Sequence, residues 1–233
     1  MDSYRFVYLL MVGAVFLIWL FSFFLRKDLR TQMLVMSGLA SLLGLTQLLY
    51  VGTYWAPEYA FPLYRIPIGI EDFLLCAFFY GGIGSVLYKV VSHQTYIYRS
   101  ATRTRSGVSV RILPLATGLA TLLILTVSTH ANIIYTTTCG MLATALTLVI
   151  LRPIYAKAVF ANGMLFGILA VAILAIVNSV FPGFIEHTWN MAALSGVTIF
   201  AVPIEEFYFH FAAGACFAVA YECLFNRRPI ASA

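Results

Sequence analysis

Seven apolar runs of about 20 residues each, near 4–25, 32–52, 67–91, 109–128, 131–151, 159–181 and 195–225, leave this chain few options. A helix that crosses the hydrocarbon core of a bilayer needs about 20 apolar residues, and within lipid every backbone polar group must be paired inside the structure. The runs therefore predict an all-α, polytopic membrane protein with seven transmembrane helices. Composition points the same way: 62% of the 233 residues are hydrophobic and 10% are charged, which is more apolar surface than a soluble domain of this length buries. The first run, Phe6 to Leu25, is too long for a signal-peptide core and has no small-residue cleavage site before Arg26, so it is read as a retained helix.

The charges lie between the runs. With the N-terminus outside, one side of the membrane receives Arg26, Lys27, Arg30, Lys89, Arg99, Arg103, Arg105, Arg111, Arg152, Lys157, Arg227 and Arg228, and the other receives only Arg5 and Arg65. That asymmetry predicts a cytoplasmic C-terminus and a cytoplasmic 92–107 loop. It also accounts for the basic pI of 9.1 without a nucleic-acid partner. Cys76, Cys139, Cys216 and Cys223 all fall inside apolar runs without CxxC spacing, which argues against disulfides and against a metal site.

At an offset of 134 residues the chain aligns with itself: Trp55 falls on Trp189, Glu71 on Glu205, Asp72 on Glu206 and Phe73 on Phe207, with sixteen residues from each Trp to the first acid. Helices 1 to 3 (residues 1–98) and helices 5 to 7 (131–233) then form two parallel repeats. The loop and helix 4 (99–130) link them.

The acids in these repeats are the residues most in need of a reason. Glu71, Asp72, Glu205 and Glu206 stand in IGIEDFLL and VPIEEFYFHF. An ionised carboxylate in hydrocarbon costs about 3 kcal/mol on insertion scales, so such groups face a cavity, pair, or keep a proton. Neighbouring helical residues point about 100° apart, so one acid of each pair faces the lumen while the other supports it. A buried acid that holds its proton is what general-acid chemistry requires. The plainer reading makes Glu71 and Glu205 helix-start residues favoured by the helix dipole. With helix 7 beginning at 195, Glu205 and Glu206 would stand about ten residues inside it, where that reading weakens. His210, four residues after Glu206, shares its face and either tunes that acid or shares its proton. His187 is placed at the outer mouth, and His93 and His130 receive no role. Tyr54, Trp55, Trp189, Phe73, Phe207, Tyr208 and Phe209 fall at one level, as an interfacial aromatic belt or as pocket walls whose faces stabilise a cation.

Duplicated three-helix units, each with a Trp upstream of an acid pair, and the ending PIEEFYF together resemble the small membrane-embedded lycopene cyclases, here with the two units fused in one chain. Pro203, Ile204, Glu205 and Glu206 match that family's motif. In the first half Gly69 stands in place of the proline and Asp72 in place of the second Glu. The resemblance implies an isomerase-type ring closure of a lipid-soluble polyene, started by a proton and ended by loss of another, with no net redox change and no cofactor. It implies catalytic roles for Glu206, Glu205, Glu71 and Asp72, and substrate contacts from Trp55, Trp189, Phe73, Phe207, Tyr208 and His210. Membrane lipid is the other partner, and a homo-oligomer stays open.

Rival readings remain. A retinal photoreceptor needs a lysine in the last helix, and 195–225 contains none, which leaves open a retinal-free relative of that architecture that binds a similar ligand. A glutamate-type intramembrane metalloprotease would use Glu205, Glu206 and His210 as ligands. A transporter would use the acids as a path, although only Glu222 continues toward the cytoplasm. A protein that merely holds a carotenoid would need the aromatics and not the acids.

Overall fold

The computed structural model describes residues 4–92, 95–100 and 106–232, with side chains described outside 93–110 and 228–233. His93, Arg103 and Arg105 lie outside the described residues, so the part of the charge count that rests on those two arginines is not addressed by the fold.

Among the described residues seven helices are long and apolar enough to span a bilayer. They are α1 (Val7–Leu25), α2 (Lys27–Tyr50), α3 (Ile70–Val91), α4 (Ser106–Thr129), α5 (Ile133–Leu151), α6 (Pro153–Val180) and, after a short α7 (Phe184–Thr188), α8 (Ile204–Phe225). The integral membrane class and the all-α fold stand. The ends of the helices moved, and one shift matters: the last span begins at Ile204 rather than 195. The intervening apolar residues form a small hairpin of β2 (Thr198–Ile199) and β3 (Val202–Pro203), turned by Phe200 and Ala201 at φ 52° and 63°. A short apolar run reads alike as strand or helix, and Pro203 directly before Ile204 is the local signal for the boundary.

At the other end of the bundle, β1 (Thr95–Ser100) pairs antiparallel with β4 (Arg227–Ser232), so the stretch read as a linker is tied by its backbone to the C-terminal tail. Beneath this ribbon Lys89 of α3 forms a buried ion pair with Glu222 of α8, and its Nζ also donates to Gln32 Oε1 of α2 at 3.0 Å. Gln32 Nε2 in turn donates to the Ser85 carbonyl at 2.7 Å. Lys89, counted from sequence as an interfacial charge, is thus part of the bundle interior.

Where lipid is the solvent, helices associate through close packing and interhelical hydrogen bonds rather than through exclusion of water. The α4–α5 contact has this form: Gly118 and Gly140 face each other so closely that a Cβ on Gly140 would stand 2.9 Å from the Gly118 carbonyl, and Thr117 and Thr147 share a 3.0 Å hydrogen bond. A single amide joins three other helices. Asn162 of α6 donates to the carbonyls of Gly84 (α3) and Gly214 (α8), both at 2.7 Å, and accepts from the Tyr88 N–H at 2.8 Å. The middle of α3, Cys76–Ile83, is wound as a π-helix. The wider turn brings the fifth residue along, as well as the fourth, under a given side chain. Leu75, Phe79 and Tyr80 consequently line one cavity together.

Replacing Asn162 by Ala removes all three bonds and leaves the Tyr88 N–H buried without its partner. The expected cost is about 2 kcal/mol, measured as a lower unfolding midpoint of the purified protein in mixed micelles. An unchanged midpoint would show that the amide does not hold the helices together.

Candidate active site

Both acid pairs occupy the second and third positions of a helix, Glu71 and Asp72 in α3, Glu205 and Glu206 in α8. All four are buried. The difference in depth expected from sequence does not exist, because α8 starts nine residues later than the apolar run suggests. Both pairs sit where the unpaired N–H groups and the dipole of a helix start favour a carboxylate.

Within each pair the two acids have different work. The first holds the loop that leads into its helix. Glu71 Oε1 accepts from the Ala60 and Phe61 N–H groups at 2.8 and 2.9 Å. Glu205 Oε1 accepts from the Ser195 N–H at 2.7 Å and from the Tyr135 hydroxyl at 2.7 Å. Phe61 and Ser195 are 134 residues apart, the same spacing as the acids they bind. Turned about 100° from these, the second acids reach elsewhere. Asp72 has Oδ1 bonded by the Tyr8 hydroxyl at 2.8 Å and Oδ2 by the Gly69 N–H at 2.9 Å, the latter closing the start of α3. Glu206 accepts from Trp189 Nε1 at 2.8 Å and lines a cavity.

That cavity lies between α1, α2, α3, α6 and α8, beneath the loops that precede α3 and α8. Those loops are joined to each other. Trp55 and Trp189 form an antiparallel bridge, flanked by Ala56 N–H to the Thr188 carbonyl and Asn190 N–H to the Tyr54 carbonyl, both at 2.7 Å. Their rings stand 5.7 Å apart, and the Trp55 Nε1 donates to Gln47 Oε1 at 3.2 Å. Tyr50, Tyr54, Phe79, Tyr80 and Phe209 supply further aromatic wall, and Met11, Val15, Ala170, Ile173 and Leu174 supply the aliphatic part. Burial, with the nearby Glu206 carboxyl as a smaller cause, holds the Tyr54 phenol well above its ordinary pKa, so its hydroxyl stays neutral.

His210 stands behind Glu206. Its Nδ1 lies 2.7 Å from the Glu206 carbonyl oxygen and 3.5 Å from the Glu206 Oε2. A carbonyl only accepts, so Nδ1 carries the hydrogen, and in the neutral ring Nε2 then accepts from the Tyr80 hydroxyl at 3.0 Å. The result is a continuous line from Tyr80 through His210 to Glu206.

Of the ten residues singled out from sequence, Trp55, Trp189, Glu206 and His210 meet in the cavity. Glu71, Asp72 and Glu205 are next to it in the loops and helix starts. Phe73 packs on Gly44 of α2, Phe207 on Gly167 of α6, and Tyr208 is 52% exposed on the outer face. Helical spacing explains the division: only Phe209 and His210, three and four residues on, share the face of Glu206. Gln47, Tyr50, Phe79 and Tyr80 were missed. Phe79 follows Leu75 by four, but nothing in the sequence marks the π turn that adds Tyr80. The metalloprotease arrangement does not form, because Glu205 is turned away to Tyr135 and Ser195 while Glu206 and His210 face the cavity.

Residues 132–224 match the family model described as Lycopene cyclase. The match supports the lycopene cyclase family over the second half of the chain, from Asn132 through Tyr135, Trp189, Glu206 and His210. Residues 1–131, with the IEDF segment, lie outside it. No curated protein and no solved structure matches the chain.

If the first acid of each pair is a loop clamp, its shape matters and its charge does not. Glu71→Gln keeps an oxygen for the Ala60 and Phe61 N–H groups and is expected to unfold near the parental midpoint, whereas Glu71→Ala is expected to lose about 2 kcal/mol. Thermal unfolding in detergent distinguishes the two, and equal losses would contradict the clamp.

Proposed function

We propose that this chain is a carotenoid cyclase of the lycopene type, in which Glu206 gives the proton that starts ring closure. One observation carries the reading: within residues 132–224, which match the family model, Glu206 is the acid that lines a cavity walled mostly by aromatic and aliphatic side chains.

The chemistry follows from what the lining offers. The Glu206 carboxyl proton is transferred to the terminal double bond of a linear polyene, which leaves a tertiary cation. The electrons of a neighbouring double bond form the carbon–carbon bond that closes a six-membered ring and moves the positive charge into it. Loss of a C–H proton then makes the ring double bond and discharges the cation. The acceptor is the Glu206 carboxylate, or the His210 ring behind it, so the proton count of the protein is restored and no electrons are gained or lost. This is an isomerisation, an intramolecular ring closure that needs no cofactor.

Between the two proton transfers the cation needs shelter from water and a negative surface. The faces of Trp55, Trp189, Phe79, Tyr80 and Phe209 provide both, with about 2 kcal/mol for each well-placed, desolvated ring. The Trp189 indole N–H holds the carboxyl in place, and the Glu206 carbonyl oxygen fixes the His210 tautomer, whose Nε2 accepts from the Tyr80 hydroxyl. Glu205, Glu71 and Asp72 support this site from the loops and helix starts. Phe73, Phe207 and Tyr208, by their positions, serve packing and the lipid face. The polyene comes from the membrane, with lipid as its solvent.

Two further features belong to this reading. Residues 1–98 and 131–233 are two copies of one three-helix unit joined by 99–130, supported by the loop clamps at Glu71 and Glu205 and by the paired Trp residues at the same offset. The acid end of the bundle faces outward and the basic end faces the cytoplasm, supported by the charge asymmetry. A reporter fused within 92–107 is expected to read as cytoplasmic, and an external reading would reverse the orientation.

Glu206→Gln keeps the acceptor for Trp189 but has no labile proton. Ring formation in lycopene-accumulating cells is expected to fall by about 10² to 10⁴, with membrane protein levels unchanged by immunoblot. Glu205→Gln, which keeps its acceptor for Ser195, is expected to retain most activity. Parental rates in Glu206→Gln would remove the acid assignment, and a parent that leaves lycopene linear would overturn the function.

A further inference from the structure

Away from the aromatic cavity, α5 and α6 make little contact with each other while both pack along α8. Between them runs a groove of about 630 Å³, whose lining includes Leu146 and Val149 of α5, Ala156 and Phe160 of α6, and Phe211 and Ala215 of α8. That volume is in the range that holds a molecule rather than a side chain. Every side chain of the lining is apolar, so the groove offers close packing to a hydrocarbon chain and nothing to a polar group.

At the basic end of the bundle the surroundings change. Val149 and Ala156 stand on either side of Arg152 in the α5–α6 turn, and Lys157, next to Ala156, is exposed. Ala215 belongs to a small core cluster with Ala218 and Val219, and Cys223 packs against that cluster. The guanidinium groups of Arg152 and of Arg111, from α4, both act electrostatically on the Cys223 thiol, so two cations from separate helices converge at this end of the groove. Arg111 adds an independent sign of a ligand. Its Nε is buried and has no hydrogen-bond partner among the described residues. A buried donor without an acceptor is costly, and a guanidinium fork is shaped to hold two oxygens of a phosphate. The acids described at this end are engaged elsewhere, Asp28 with Arg26 and Glu222 with Lys89.

We propose that the groove and the basic end above it bind one anionic phospholipid, with an acyl chain lying along α8 between α5 and α6 and the phosphate held by Arg111 and Arg152. Basic pockets between membrane helices recognise such headgroups. The groove selects a hydrocarbon chain, and the surplus positive charge selects the lipid that carries it. The ammonium of a zwitterionic headgroup would stand among cations, Lys157 included, and a polyene has no charge to place there. The bound phosphate would tie α4, through Arg111, to the α5–α6 turn, and so reinforce a helix whose main neighbour is α5. Whether or not the chain closes rings, the groove keeps this occupant.

The test offers the full-length protein, in detergent micelles, equal amounts of phosphatidylglycerol and phosphatidylcholine with the same acyl chains, and reads by native mass spectrometry which lipid stays bound to the monomer. One phosphatidylglycerol is expected to be retained in preference to phosphatidylcholine, and the thermal unfolding midpoint to rise as that lipid is added. Arg111→Gln and Arg152→Gln are each expected to weaken phosphatidylglycerol binding about fivefold, and with it the preference over phosphatidylcholine. Ala156→Leu fills the groove and leaves the charges in place. It is expected to lose the bound phosphatidylglycerol, and it carries the test should an arginine variant fail to accumulate in the membrane. Equal retention of the two lipids by the parent would overturn the proposal, as would parental retention in Ala156→Leu. Displacement of phosphatidylglycerol by added lycopene would give the groove to the polyene, and a dimer formed in place of the lipid complex would give it to a second copy of the chain; either result also overturns the proposal.

Discussion

A carboxyl group placed inside a bilayer must find donors, and the donors it finds decide what it can do. In this protein four carboxyls enter the membrane at two helix starts, and three of them are held by loop N–H groups or by tyrosines. The fourth, Glu206, has an indole on one oxygen and a cavity in front of it. The loops clamped by Glu71 and Glu205 are the ones that carry Trp55 and Trp189 toward each other across the cavity. The three acids held in this way therefore position the walls around the fourth.

The number of helices and the identity of the unusual residues were legible in the sequence because both rest on coarse, additive costs. About 20 residues cannot stay apolar by chance, and Glu205 or Glu206 cannot enter lipid without a reason. The expectation that one acid of a pair faces inward while its neighbour supports it needed only the 100° step, and Glu206 and Glu205 divide in that way. What failed was depth. The run from 195 to 225 is apolar throughout, so hydropathy could not separate the hairpin Thr198–Pro203 from the helix that follows, although Pro203 marked the place. The same limit applies to Phe207 and Tyr208: both are aromatic and near the acid, but spacing of three or four, not nearness in sequence, brings a side chain to the face of Glu206. Tyr80 was beyond reach, since its place depends on a π turn that no local sequence signal marks.

The opposite end of the bundle makes a different use of buried charge. Lys89 and Glu222 neutralise each other between α3 and α8, the two helices that carry the acid pairs at their other ends. A buried ion pair of this kind contributes little net stability, but removal of either partner leaves an uncompensated charge. Its value is in fixing which helix lies beside which. The spacing between α3 and α8 is thereby set at both ends, by the ion pair at one and by the bridged Trp loops at the other.

The helix α4 stands apart from all of this. It packs along α5 and touches the end of α8, and its other sides are apolar and uncovered, with Ile112, Leu115, Leu119, Ile124 and Val127 exposed. In water, a segment so largely uncovered would be among the first to melt. In lipid, the backbone hydrogen bonds cannot be given up, so separation and unwinding are uncoupled. The seam between Gly118 and Gly140 therefore joins two helices that are already complete, and its loss would part an intact rod from the bundle rather than unwind it.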